Sequence, residues 1–78
     1  MNKHGYKERN IEIFKRVICG ETLKQAGEHY GITLERVRQI VYKLSRETLK
    51  KHGAEPIGYS AGLGAIRDKR DYFLDKLG

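Results

Sequence analysis

Two helical patterns with one glycine between them limit the folds open to this chain more than any other feature of its sequence. Thr22 and Gln25 form a T-x-x-Q capping box, which predicts the start of a short helix. Gly31 supplies the left-handed residue that a tight turn requires, and Thr33 is a suitable N-cap for the helix that follows. The sequence therefore predicts a short helix, a tight turn and a second helix in direct succession.

Helical periodicity also describes the segments on either side of this unit. In residues 8–20 apolar side chains recur at helical spacing, and Gly20 follows the last of them as a stop. The helix that begins after Thr33 is predicted to end near Lys51 or His52, before Gly53. Because no segment shows strand-like alternation, the sequence predicts an all-α fold.

The rest of the chain is predicted to form a loop and one further amphipathic helix. The stretch GAEPIGYSAGLG contains four glycines and the only proline, which is typical of a connecting loop. Two uses of the C-terminal helix stay open: it packs on the core of its own chain, or it joins two subunits into a homodimer. Either use would involve its apolar residues, which are Leu63, Ile66, Phe73, Leu74 and Leu77.

Positive charge is concentrated on the helix that follows Thr33. The net charge of +6 favours a polyanionic partner, and residues 36–51 carry six basic side chains and one acidic one, a local +5. On a helical wheel one arc is apolar, with Val37, Ile40, Val41, Leu44 and Thr48. The opposite arc holds Glu35, Gln39, Lys43, Arg46 and Lys50, with Arg36 at its edge and Arg38 and Tyr42 beside it. An ordinary solvated helix face is the alternative, but it would pair acids with bases at i, i+4, and this face has almost no acids after Glu35.

These features together meet the requirements of a helix-turn-helix unit. Such a unit needs small residues where its helices cross, which Ala26 and Gly27 supply, and a glycine at the turn, Gly31. Val37 and Ile40 are spaced to be buried beneath the second helix. This geometry places the N-terminal part of that helix in the DNA major groove, which is wide enough to admit an α-helix. The predicted organisation is a helix-turn-helix DNA-binding core at 1–52, a loop at 53–62 and the C-terminal helix at 63–78.

The segment GETLKQAGEHYGITLERVRQIVYKLSR resembles region 4, the C-terminal DNA-binding region of sigma-70-type sigma factors of bacterial RNA polymerase. The resemblance implies that the second helix of the unit binds a promoter element and that the domain also contacts RNA polymerase. It implies base-reading roles for Glu35, Arg38 and Gln39, and contacts to the DNA backbone for Arg36, Lys43 and Arg46. Two further backbone contacts are predicted from the chemistry of the helix, by the hydroxyl of Thr33 near its start and by Lys50.

The chain departs from the family pattern at three positions. Leu34 stands where the family often has a DNA-contacting arginine; leucine cannot make that hydrogen bond, but it can touch a thymine methyl group or cover the edge of the core. Val41 and Tyr42 replace more polar residues, which indicates an altered packing surface. Nothing corresponds to the sigma segments that melt promoters, so a complete sigma factor is not expected.

The remaining residue types favour no catalytic or cofactor chemistry. Cys19, the only cysteine, is expected to be a small buried residue at a helix end, and His4, His29 and His52 share no metal-ligand spacing with it. No cofactor, no metal and no enzymatic activity are expected. The five tyrosines, among them Tyr6 and Tyr59, are expected to pack rather than to stack on single-stranded bases. No stretch resembles a signal peptide or a membrane span, so a cytoplasmic protein is predicted.

The sequence thus predicts a small helical regulator of transcription, of bacterial or phage type, that binds a specific double-stranded DNA sequence. The alternative function is a protein-interaction module that docks on RNA polymerase or on a DNA-bound factor without reading bases. The apolar or aromatic side chains of Leu34, Val41 and Tyr42 make this alternative possible.

Overall fold

The computed structural model describes residues 3–55, 57 and 62–77, with side chains from residue 8 onward. Within these residues all regular structure is helical, which confirms the predicted all-α class. The five helices are α1 Lys3–Ile18, α2 Leu23–Tyr30, α3 Leu34–Lys51, α4 Gly62–Asp68 and α5 Arg70–Leu77. None of them is both long enough and apolar enough to cross a membrane.

The start of α2 and the turn after it form as their sequence predicts. The Thr22 hydroxyl accepts a hydrogen bond from the backbone N–H of Gln25, and the Gln25 side chain accepts one from the backbone N–H of Thr22, each 3.0 Å long. At the other end of α2, Gly31 adopts a left-handed conformation with φ of 70°. The backbone N–H groups of Gly31 and Ile32 both donate to the carbonyl oxygen of Gly27, which closes the last turn of the helix.

A close approach of α2 to the turn that leads into α3 explains the glycine at position 27. A Cβ atom placed there would lie 2.6 Å from the carbonyl oxygen of Ile32 and 3.4 Å from Cγ2 of Val37. The first of these distances is shorter than van der Waals contact, and the neighbouring atom belongs to the backbone. The crossing of α2 and α3 therefore depends on the absence of a side chain at this position.

The core is formed where α1 packs against all four other helices. Phe14 of α1 and Phe73 of α5 meet edge to face at its centre, with ring centroids 5.0 Å apart. The other buried hydrophobic side chains are Ile13, Val17, Ile18, Ala26, Val37, Ile40, Val41, Leu49 and Ile66. Because α3 contributes four of these residues, one side of it is fixed by the core while the opposite side faces solvent.

The C-terminal segment forms two helices, where the sequence predicts one. The break falls at Lys69, whose backbone N–H donates to the carbonyl oxygen of Ile66, an i→i−3 bond that tightens the chain locally. Ile66 and Phe73, on either side of the break, are both fully buried in the core of the same chain, and the leucines of this segment pack against that core. Of the predicted loop at 53–62, residues 56 and 58–61 lie outside the described residues.

One residue that was expected to be buried is exposed, and the buried side of α3 differs in part from the predicted wheel. Cys19 is exposed, so the expectation that it is buried is wrong: α1 ends at Ile18, and Cys19 lies in the turn that follows. Leu44 is only partly buried, whereas Ser45 and Leu49, which the wheel did not place in the core, are buried. Tyr30, Tyr42 and Tyr72 are partly buried, as packing roles require. The side chains of Tyr6, Tyr59 and His4 lie outside the described residues.

Candidate nucleic-acid interface

The outer side of α3 and its N-cap, Thr33, together carry all eight residues that the sequence predicts to contact DNA. All eight side chains are exposed, and all lie on one continuous segment that the core holds from the other side. They are Thr33, Glu35, Arg36, Arg38, Gln39, Lys43, Arg46 and Lys50. The structure therefore brings the predicted base-reading and backbone-contacting residues together on one surface, which we call the outer face of α3.

The three predicted base-reading residues share the N-terminal half of this face. Nη2 of Arg38 lies 2.6 Å from Oε2 and 2.8 Å from Oε1 of Glu35, and about half of each side chain remains exposed. Glu35, Arg38 and Gln39 line a surface depression together with Tyr42. The sequence places Tyr42 beside the polar arc and predicts no contact with DNA for it; its position four residues after Arg38 is the signal that connects it to this group.

Gln39 also has a weak partner on the same helix. Its side-chain oxygen lies 3.5 Å from Nη1 of Arg36, which is at the outer limit for a hydrogen bond. A contact of this length is easily exchanged for a better one. The amide of Gln39 can therefore turn toward a base edge at little cost, and Arg36 can turn toward a phosphate.

The hydroxyl of Thr33 has a structural role that leaves part of its hydrogen-bonding capacity unused. It accepts a hydrogen bond of 3.1 Å from the backbone N–H of Arg36 and so caps α3. The hydroxyl proton can still be donated, and the first N–H groups of a helix favour an anion in front of them. A phosphate oxygen near the start of α3 would meet both groups.

The basic residues farther along α3 extend the positive surface toward the C-terminus of the helix. Lys43, Arg46 and Lys50 are exposed and lie at spacings of three and four residues, which places them on one side of the helix. A row of cations with this spacing follows the helix axis for more than one turn. It is suited to a polyanion that runs alongside the helix, such as a DNA strand.

The end of α2 is fixed on α1 by a hydrogen-bonded tyrosine. The hydroxyl of Tyr30 donates to Oε1 of Glu12 at 2.7 Å and accepts from Nε of Arg16 at 3.2 Å. Burial raises the pKa of the Tyr30 phenol above its usual value, and the hydrogen bond to Glu12 raises it further. Since Gly31 and the start of α3 follow directly, this contact also positions the outer face of α3.

A second support comes from the C-terminal segment. The guanidinium group of Arg67, in α4, donates from Nε to the carbonyl oxygen of Val17 and from Nη2 to that of Glu21. These two carbonyl groups lie at the end of α1 and in the turn that leads to α2. Arg67 therefore connects α4 to the corner from which the helix-turn-helix unit begins, a role that sequence analysis did not assign to it.

No cation site accompanies this surface in the described part of the chain. There, no three side chains of His, Cys, Asp or Glu lie together in a way that could hold a metal ion.

The model of one protein family, described as "Sigma-70, region 4", matches residues 8–51 of the chain. This match covers more than half of the 78 residues and contains the described side chains of α1 and all of α2 and α3. Helices α4 and α5 lie outside it. Comparisons with curated proteins and with solved structures found no match.

Proposed function

The chain belongs to the sigma-70 region 4 family of non-catalytic, DNA-binding helix-turn-helix domains, and we propose that it is a sequence-specific regulator of transcription that binds duplex DNA through α3. The observation that carries this proposal is the outer face of α3, where exposed hydrogen-bonding and basic side chains stand opposite a buried apolar face. Such a regulator acts in the cytoplasm, on promoters of a bacterium or of a phage.

Affinity comes mainly from the cations that border the DNA strands. Arg36, Lys43, Arg46 and Lys50 are exposed and can each neutralise a phosphate. Each such contact releases condensed counterions from the duplex, so binding weakens steeply as the salt concentration rises. These contacts fix the register of α3 on the DNA but carry little information about sequence.

Discrimination between sequences comes from the N-terminal half of the outer face. The fork of Arg38 is matched to O6 and N7 of guanine, and the carboxylate of Glu35 can accept a hydrogen bond from N4 of cytosine. Because these side chains already contact each other, they are close enough to bind the two bases of one G·C pair or of adjacent pairs. Gln39 can pair with an adenine edge.

The experiment that tests the proposal is in-vitro selection of duplex DNA by the purified protein, followed by titration of the recovered site across salt concentrations. A defined consensus together with a steep salt slope supports a sequence-specific regulator. Recovery of no enriched sequence, with only weak binding, contradicts it. The symmetry of the recovered site also reports whether one or two copies of the chain bind.

Two alanine variants of neighbouring exposed residues on α3 separate base reading from phosphate binding. Gln39→Ala should lower the preference for one base pair of the site by about 1–3 kcal/mol, the usual value for a good bidentate contact. Lys43→Ala should weaken binding to all sequences by a similar factor and reduce the salt slope by about one charge. Equal effects of the two variants on specific and non-specific DNA would count against these roles.

A second function, docking on RNA polymerase or on a DNA-bound factor, is favoured by one observation. Leu34, the first residue of α3, has an exposed apolar side chain, which a protein partner could bury in an interface. The combined substitution of Arg38 and Gln39 by alanine distinguishes the two functions. It should abolish regulation and leave any polymerase binding intact if α3 reads DNA. If the variant still regulates transcription, the docking function is the correct one.

A further inference from the structure

Tyr42 lines the surface depression on α3 together with Glu35, Arg38 and Gln39. It is partly buried and packs against the hydrophobic core, whereas the other three side chains are exposed. Aromatic side chains in a helix point back toward its N-terminus, over the residues three and four positions earlier. For Tyr42 these residues are Gln39 and Arg38, so helix geometry explains why its side chain forms one wall of the depression.

The charges around the depression favour the edge of a base over a phosphate group. The carboxylate of Glu35 is paired with the guanidinium group of Arg38, with Oε1 and Nη2 2.8 Å apart. Gln39 and Tyr42 are uncharged, so the formal charges of the four side chains cancel. A phosphate group that entered the depression would meet the carboxylate of Glu35. The edge of a base pair is uncharged and carries both donors and acceptors, which matches this mixture of groups.

We propose that Tyr42 is a further specificity-determining residue, whose hydroxyl group donates a hydrogen bond to N7 of a purine in the major groove. The proposal rests on the DNA-binding function proposed above. A phenol is a better donor than acceptor, because its ring withdraws electron density from the oxygen, so it suits an acceptor on a base edge. The acceptors in the major groove are N7 of the purines, O6 of guanine and O4 of thymine. The two carbonyl oxygens already accept a hydrogen bond within the base pair and N7 does not, so N7 is the better partner.

The purine lies close to the base pair that Arg38 and Glu35 contact. One helical turn rises about 5.4 Å and one base pair about 3.4 Å, so residues one turn apart on α3 face bases one or two pairs apart. Since Tyr42 packs against the core, little side-chain freedom is left to lose when its hydroxyl group binds. Adenine and guanine both carry N7, so the selected site should contain either purine at this position.

The test uses the full chain and its selected duplex site, in which each purine in turn is replaced by its 7-deaza analogue. This analogue keeps Watson–Crick pairing and carries a C–H group in place of N7. For the wild-type protein, we expect one purine at which the replacement weakens binding about three- to tenfold and at which Tyr42→Phe responds by less than about 1.5-fold, because one hydrogen bond is at stake. At purines contacted by Arg38 or Gln39, the replacement should weaken the binding of both proteins alike.

The matched control is Tyr72→Phe. Tyr72 is also partly buried, but it lies on α5 and outside the family match, so this variant should respond to every 7-deazapurine as the wild type does. Tyr42→Phe should fold, because it keeps the ring that packs against the core, and urea denaturation checks this before binding is measured. It removes no charge, so its salt slope should equal that of the wild type, in contrast to that of Lys43→Ala.

The outcomes separate this proposal from the function on which it rests. If the wild-type and Tyr42→Phe proteins respond equally to every 7-deazapurine, the contact with N7 is refuted while DNA recognition stands. A loss of affinity in Tyr42→Phe that is the same for the selected site and for unrelated duplexes would assign the hydroxyl group to a phosphate and would also overturn the proposal. Failure to select any site refutes the proposed function and this contact together.

Discussion

Nε of Arg67 lies 3.0 Å from the carbonyl oxygen of Val17, although 50 positions separate the two residues in sequence. The last carbonyl groups of a helix have no partner within it, and a cation is favoured near that end. Arg67 supplies both a donor and a positive charge at the end of α1. A residue outside the family match thus adds a hydrogen bond at the end of α1, where the Val17 carbonyl oxygen also accepts from the backbone N–H of Gly20.

We expect Arg67→Ala to lower the free energy of unfolding by about 1.5–3 kcal/mol, because it removes hydrogen bonds from a charged group to two partly buried carbonyl oxygens. Arg67→Lys should recover only part of this loss, since an ammonium group lacks the planar fork that reaches both oxygens. Urea denaturation measures the change. Arg70→Ala is the control: its ion pair with Asp71 is exposed, and its loss should cost less than about 0.5 kcal/mol. Similar losses in both variants would contradict the role given to Arg67.

Gly27→Ala should lower the free energy of unfolding by about 1–3 kcal/mol, because the new methyl group would lie 2.6 Å from the backbone oxygen of Ile32 and displace the turn that leads into α3. Duplex binding should weaken as well, since α3 is displaced from its position. Gly64→Ala is a matched control in α4, where a new Cβ meets nothing within 4 Å. That substitution should stabilise the protein by up to about 1 kcal/mol, since alanine is the better helix former. Equal effects of the two alanines on the urea midpoint would exclude a close helix crossing as the cause.

The hydrogen bonds of Tyr30 predict a dependence of stability on alkaline pH. Its pKa is raised from 10.0 in the folded protein, through burial and the hydrogen bond to Glu12, so folding favours the protonated phenol. The resulting contribution to stability is fully present below pH 10 and is lost as the pH rises through the higher folded-state pKa. Unfolding in urea at a series of pH values from neutral to strongly alkaline measures this loss. Tyr30→Phe should make the alkaline decline shallower, and an unchanged decline would show that other groups cause it.

Glu35→Ala should change the DNA specificity of the protein and leave its free energy of unfolding almost unchanged. The ion pair with Arg38 is exposed, so its loss should change the free energy of unfolding by less than about 0.5 kcal/mol. Binding to unrelated duplex DNA should become tighter because one negative charge is removed from the outer face of α3. Preference for the selected site should fall, since the carboxylate no longer accepts from a base. Binding titrations with specific and unrelated duplexes measure both changes, and a variant that retains its full preference would refute a base-reading role for Glu35.

Local signals explain which parts of the fold could be predicted from sequence. The caps at Thr22 and Thr33 and the left-handed turn at Gly31 depend on residues at most a few positions apart, and the structure shows each of them. The break at Lys69 has no such local signal, because residues 65–77 contain neither glycine nor proline. The break lies between Ile66 and Phe73, and the burial of these two side chains depends on residues elsewhere in the chain.

The candidate site shows the same division between local and long-range information. The outer face of α3 follows from helical periodicity, so the exposure of its side chains was predictable. The contacts that hold α3 in place were not, because Arg67 and Val17, like Tyr30 and Glu12, are distant in sequence and meet only in the fold. The burial of Leu49 is likewise decided by helices that pack against the end of α3 and not by its place on a wheel.

The close crossing at Gly27 has a consequence for how such a domain can change during evolution. It ties the orientation of α3 to the backbone, so substitutions on the solvent side leave that orientation as it is. New target sequences can then arise by exchange of a few outward side chains, one at a time, with folding preserved at every step. The residues that hold the fold and the residues that select the DNA sequence can therefore change independently of each other.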